Sequence, residues 1–351
     1  MAQNINNNSE KTIKNNIVSY REAHGTLYYI SMIRCIALLM IITCHILQHY
    51  QVVLAFWLDI GVQIFICISG FLYGQRSIAD VPGFYIHRLI KILPPYYLVY
   101  ITAGLLQYQF RRYAFDMSDF IQGLYFRDTI YGGGHLWFVG LILVCYAITP
   151  LLDRFSHKHI KNAGSLIGFC FAGVAISVAF FGWHPAINHL AWTGCYIIGY
   201  GLGINEREQY IDHNKILIVL LTVAVISNGI QIYLDHIRKV GFSGAEEIGY
   251  SFIQNFDHLV LGIAVFLLLK AILEAATFSE KEKQVLRITD KYSYEVYLVH
   301  QFFILGAFTK LAATPSTLCN IVIALFYILI FTVLLKLIET PIVKGLEKRF
   351  S

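Results

Sequence analysis

The sequence predicts an all-α protein, a polytopic membrane bundle of about ten transmembrane helices with both termini in the cytoplasm. Three observations carry that prediction. Hydrophobic residues make up 57% of the 351-residue chain and charged residues only 14%, far from the roughly 45–50% and 25% of a soluble domain. The apolar residues gather into about ten runs of a length suited to a bilayer, with the ionised residues between them. Lys and Arg are also unevenly shared between alternate connections. Twenty fall on the side of the N-terminus and six on the other, the asymmetry that orients membrane proteins. That bias explains the net charge of +5 without a basic patch, so no nucleic-acid partner is implied.

Along the chain, residues 1–27 are polar and Asn-rich. They lack both apolar periodicity and the h-region of a signal peptide, and read as a disordered cytoplasmic tail. The apolar runs follow at about 28–50, 52–74, 90–109, 136–152, 164–182, 188–204, 215–235, 256–276, 292–311 and 318–338. The membrane domain therefore occupies 28–338, and 339–351 reads as a second cytoplasmic tail. The seven cysteines lie in or beside the apolar runs, an odd set with no disulfide framework and no metal-ligand spacing. No metal site is expected.

Ionisable residues inside a bilayer cost at least about 2.5–3.5 kcal/mol each on insertion scales, which makes them candidate functional groups. In the first run, Arg34 and His45 stand eleven residues apart. At about 100° and 1.5 Å per residue they share one helix face and lie roughly 16 Å apart along it. Two readings fit this stripe: a functional pair joining the two sides of the membrane, or a snorkelling Arg34 with a His45 that bonds a neighbouring helix. Entering the third run, FYIHRLIKILPPYY sets Arg88 and Lys91 three apart on one face, then Pro94-Pro95, which should break or kink the helix. The basic pair suits phosphates, and equally suits the positive-inside rule. In the second run Asp59 lies near the outer end, Gln63 follows one turn on, and Ser69 and Gly70 permit close helix packing. Gly132 to Gly134 read as a flexible loop delivering His135 and Trp137 to the fourth run, where Trp137 also fits an interfacial anchor. Glu295 and His300 in the ninth run are about 140° apart and face different neighbours. The doublet Asp257-His258 reads as an outer-face polar contact or, in preference, as an interface residue, and Cys44 points about 100° away from His45, which argues against a Cys-His nucleophile.

These segments together resemble the acyltransferase-3 family of integral membrane acyltransferases, in its stand-alone form, over residues 28 to 338. The family's R-(x)10-H first span corresponds to Arg34 and His45. Its G-V-D-x-F-F-x-x-S-G-F corresponds to GVQIFICISGF, Gly61 to Phe71, and its R-x-x-R-I-x-P to RLIKILP, Arg88 to Pro94. H-L-W-F opens a span at His135, and S-Y-x-x-Y-L-x-H is SYEVYLVH, Ser293 to His300. Two positions depart from the pattern. Gln63 replaces an Asp, and Lys91 replaces an Arg, which keeps the charge and loses bidentate geometry.

The resemblance implies transfer of an acyl group, most often acetyl from acetyl-CoA, to a sugar hydroxyl of a cell-surface or exported polysaccharide. In that expectation His45 and Arg34 are catalytic, with His45 acting as general base or as covalent acyl carrier. Arg88 and Lys91 bind the acyl-CoA phosphates. His135, Trp137, Glu295, His300, Ser69 and Gln63 support the site or the acceptor. Acyl-CoA is a donor substrate, and no permanently bound cofactor is expected. The other partners are the lipid bilayer and a glycan or lipid-linked sugar acceptor, and the chain is free to form a homo-oligomer. A transporter or flippase for a glycan intermediate is the rival reading, since carriers also use intramembrane Arg and His.

Overall fold

The structure, a computed structural model, describes residues 28–110, 115–127, 129–181, 185–238 and 244–350. The expected tail at 1–27 lies outside the described residues. Eleven longer helices follow in order among them: α1 (Tyr28–His49), α2 (Gly61–Gly74), α3 (Val81–Gln109), α4 (Met117–Gly123), α5 (Trp137–His159), α6 (Ala163–Phe181), α7 (Thr193–Glu208), α8 (His213–Arg238), α9 (Ala245–Leu273), α10 (Glu280–Ile304) and α11 (Thr317–Phe350). A one-turn helix, Ala55–Leu58, precedes α2, and 3₁₀ turns at Gly134–Leu136 and Pro185–Trp192 precede α5 and α7.

Each of the ten predicted runs falls on a helix. Among the described residues, eight spans are long and apolar enough to cross a membrane: α1, the turn with α2, α3, α5, α6, α8, α9 and α11. The other two runs miss that description for visible reasons. Helix α7 has only 16 residues and ends in Glu206, Arg207 and Glu208. The first half of α10 carries Glu280, Lys281, Glu282, Lys283, Arg287, Asp290 and Lys291.

Local chemistry sets the helix starts. Asp80 caps α3 by accepting from Gly83 N at 3.1 Å, and Ser279 and Glu282 form a capping box on α10. Pro94-Pro95 do not break α3, which runs on through both. In a packed membrane bundle, neighbouring groups tolerate the backbone bonds that proline removes. Helix α11 likewise continues through Pro341 to Phe350, taking in most of the predicted C-terminal tail.

Helix α1 packs against α10 and α2, α3 packs against α11, and α7 and α9 back α2. The α2–α7 contact is the tightest. A Cβ on Gly70 would collide with Tyr196 O, one on Gly199 with Cys67 O, and one on Gly203 with Phe71 O. The two backbones touch because those positions carry no side chain. On the other flank, α8 and α11 present Ile218, Val219, Val225, Leu318, Val322 and Leu329 outward, the apolar surface a bilayer covers.

The doublet Asp257-His258 is not at an interface. Asp257 is fully buried and accepts from Ser227 Oγ at 2.6 Å and Asn228 Nδ2 at 3.0 Å. His258 faces Gln254 O and Phe56 O. Polar partners from α8 supply what water would otherwise provide. The three glycines before His135 are close-packed rather than slack: Gly132, at φ +76°, lies against the backbone of Gly306, and Leu136 N bonds Gly133 O at 2.8 Å. All seven cysteines are free.

Candidate active site

Two cavities lie inside the ring formed by α1, α2, α3, α5, α10 and α11. The larger encloses about 580 Å³ and is lined by Arg34, Arg88, Lys91 and Lys336, with Asp290, Glu295 and Glu339 among them. The smaller, of about 160 Å³, is lined by His45, Asp59, His135, Trp137 and Gln301. Ile41, Val62 and Tyr297 line both, so these three side chains form the wall between them.

The larger cavity holds several of the predicted residues. Helix α1 brings Arg34, whose Nη1 lies 3.4 Å from Asp290 Oδ1, while Asp290 Oδ2 accepts from Ser31 Oγ. Helix α3 brings Arg88 and Lys91 on one face, as their spacing requires. The Arg88 guanidinium sits over the rings of Tyr73, Tyr146 and Phe84 at 5.2, 5.4 and 5.9 Å. It pairs with no carboxylate among the described residues, and its Nε is buried without a partner. Aromatic faces hold the cation in position without neutralising it. Lys91 is exposed. Ser69 also lines this cavity, donating to Phe65 O at 3.1 Å. Glu295, 3% exposed, belongs to a buried triad: Lys336 Nζ donates to Glu295 Oε1 and to Glu339 Oε1, both at 2.7 Å. The second oxygen of each carboxylate has no partner.

His45 and His135 line the smaller chamber, and His300 packs against both of their rings. The His45 and His300 rings stack with centroids 5.2 Å apart and 25° between planes, and His135 meets His300 edge-on at 4.9 Å. Their hydrogen bonds fix the tautomers. His300 Nδ1 donates to Tyr297 O at 2.7 Å, which leaves the Nε2 lone pair without a partner. His135 Nε2 donates to Leu298 O at 3.1 Å, which leaves Nδ1 in the same state. His45 Nδ1 donates to Gln48 Oε1 at 2.8 Å, so its Nε2 carries a lone pair as well. Gln301 Oε1 accepts from His135 N at 2.9 Å, and Tyr297 OH donates to His135 O, anchoring the start of α5 on α10.

Arg34 and His45 thus open into different cavities from one face of α1, with Ile41 between them lining both. Glu295 and His300 face different neighbours, as their angular separation requires. Cys44 lines the same small chamber as His45, and its thiol donates to Ala55 O at 3.3 Å rather than to the imidazole. Gln63 lines neither cavity: it is buried, with its Cβ at the position a side chain on Gly262 of α9 would need. Asp290, Lys336, Glu339, Tyr146 and Tyr297 were not foreseen. Lys336 and Glu339, three apart at the end of an apolar run, were the available signal, and they read instead as the charged flank of the last span.

Apart from Glu339, the residues of this arrangement named above lie within the stretch that a family model recognises, since the acyltransferase domain of the acyltransferase-3 family matches residues 27–337. The chain belongs to that family. No curated protein and no solved structure matches it. As a member of the acyltransferase-3 family it is a membrane acyltransferase, and the motif residues Arg34, His45, Arg88, Lys91, His135 and His300 all border or abut the two cavities. Among the described residues, no group of three or more His, Cys, Asp and Glu side chains is arranged to hold a metal ion.

Proposed function

We propose that this protein is an O-acyltransferase that moves acetyl from acetyl-CoA to a sugar hydroxyl of a cell-surface or exported polysaccharide. The observation that carries the reading is the meeting of the two cavities at Ile41, Val62 and Tyr297. One side supplies cations at a helix entrance. The other supplies a base in a small space.

The nucleotide end of acyl-CoA enters the larger cavity, where Arg88 and Lys91 meet its phosphates. The Lys and Arg bias sets that end in the cytoplasm, where the donor is made. The pantetheine arm runs along α1 past Arg34, and the thioester reaches the wall at Tyr297. In the chamber, His45 Nε2 accepts the proton of the acceptor hydroxyl as its oxygen attacks the thioester carbonyl. The C–O bond forms, the C–S bond breaks, and the proton passes from His45 to the departing thiolate. A chamber of about 160 Å³ has room for an acetyl group and one hydroxyl-bearing carbon but not for a long acyl chain.

The deciding experiment compares surface glycans with and without the gene by mass spectrometry. Base-labile acetyl should disappear while the polymer stays at its normal amount. Loss of the polymer with its residual ester content unchanged would replace the transferase with an exporter.

A further inference from the structure

A third cavity, of about 140 Å³, adjoins the histidine chamber, and Trp137 lines both. Its other walls include the rings of Tyr96, Phe126 and His189 and the side chain of Arg127. Tyr96 and Phe126 pack at 4.8 Å between centroids, and Trp137 and His189 at 6.0 Å. Phe126 holds its place at φ +61°, a left-handed conformation that a bulky side chain rarely adopts. A Cβ on Gly140 would lie 3.0 Å from the Cβ of Phe126, so the bare backbone there gives Phe126 its seat. Arg127 is exposed, and among the described residues it forms no ion pair and no carboxylate lines the cavity.

Aromatic faces carry negative charge density and attract the slightly positive C–H face of a pyranose ring. An unneutralised guanidinium at the rim selects an anion. We propose that this cavity is part of the acceptor subsite, and that it receives the edge of a sugar unit bearing a carboxylate or another anionic group, the ring stacking beside Trp137 with one hydroxyl directed into the His45 chamber. The proposal rests on the acyltransferase reading of His45 and adds the class of acceptor.

The test uses purified protein in phosphatidylcholine nanodiscs, acetyl-CoA as donor, and surface polysaccharide stripped of its esters by mild base as acceptor. Arg127→Gln should raise the acceptor KM by roughly tenfold to a hundredfold, the worth of one charge-assisted contact, while the KM for acetyl-CoA stays in place. Methyl glucuronide should compete with the polysaccharide better than methyl glucoside does, and Arg127→Gln should remove the difference. Trp137→Ala should lower acceptor kcat/KM, with Trp137→Phe restoring most of it.

An unchanged acceptor KM in Arg127→Gln, or equal competition by the two glycosides, overturns the anionic-sugar subsite. An effect of Arg127→Gln seen only when anionic phosphatidylglycerol is added to the discs assigns the cation to a lipid headgroup and overturns it too. Wild-type protein that consumes acetyl-CoA without acylating the polysaccharide also overturns the subsite. Failure to use acetyl-CoA at all removes the acyltransferase reading itself, a separate result.

Discussion

In the larger cavity most ionised groups answer one another, Arg34 with Asp290 and Lys336 with Glu295 and Glu339. Beyond Tyr297 the ring nitrogens share the space with Asp59 and Gln301, and two of them, His135 Nδ1 and His300 Nε2, have no partner. A space built of paired charges is organised to hold a charged ligand in register. A space built of unpaired lone pairs is organised to receive a proton. The contrast separates grip from chemistry along a single helix, because α1 contributes Arg34 to the first and His45 to the second.

The largest expected effect tests the chemical side. His45→Ala should lower acyl transfer by about two to four orders of magnitude, the range for lost acid–base assistance, while titration of acetyl-CoA against the detergent-purified variant shows near-normal affinity. Wild-type turnover by a well-folded variant would reduce His45 to a packing residue and dissolve the contrast.

The next effect is on stability. Lys336→Met leaves the Glu295 and Glu339 carboxylates facing each other without their shared cation. Removing one partner of a buried ionic group costs about 3–5 kcal/mol, and the thermal unfolding midpoint should fall clearly. Adding Glu339→Gln to Lys336→Met should recover part of the loss. An unmoved midpoint would mean that water already serves those carboxylates and that the cavity wall is not dry there.

The grip itself is probed by Arg88→Ala, which should weaken acetyl-CoA binding by roughly tenfold to a hundredfold, as one charge-assisted phosphate contact is worth about 1.5–3 kcal/mol. Inside-out vesicles check the side of entry. Unchanged affinity, or donor access from the opposite face alone, contradicts both the phosphate contact and the orientation taken from the Lys and Arg bias.

The smallest effect concerns the wall. Val62→Ala opens the partition between the cavities, and the preference for acetyl-CoA over butyryl-CoA should relax by roughly tenfold, the scale on which a pocket discriminates one or two methylenes. A ratio of kcat/KM values that does not move would remove Val62 from the partition's function.

Much of this was legible in the sequence because the bilayer punishes ionisable residues so heavily that Arg34, His45 and His300 stand out against their apolar runs. The ten helices were legible for the same reason. Pairings across the chain were not. Asp290 lies 256 residues from Arg34 and Glu295 lies 41 residues from Lys336, and no local pattern says which helices will be neighbours. Asp257 shows the complementary failure: hydropathy registers its charge but not the Ser227 and Asn228 that satisfy it. Gln63 shows a third, since it sits inside a motif segment on α2 yet turns toward α9, away from both cavities.

Helix α7 has a consequence for how the protein is made. Residues Thr193 to Asn205 are all buried, so this segment has no face to offer to lipid. It is also too short and too charged at its end to gain much from entering a bilayer by itself. Its stable location exists only once α2 is in place, because the glycine contacts that seat it are made by Gly70 of α2 and by Gly199 and Gly203 of α7. During synthesis α7 must therefore wait for, or be escorted by, a partner threaded more than a hundred residues before it, and the order of assembly is written into a row of missing side chains.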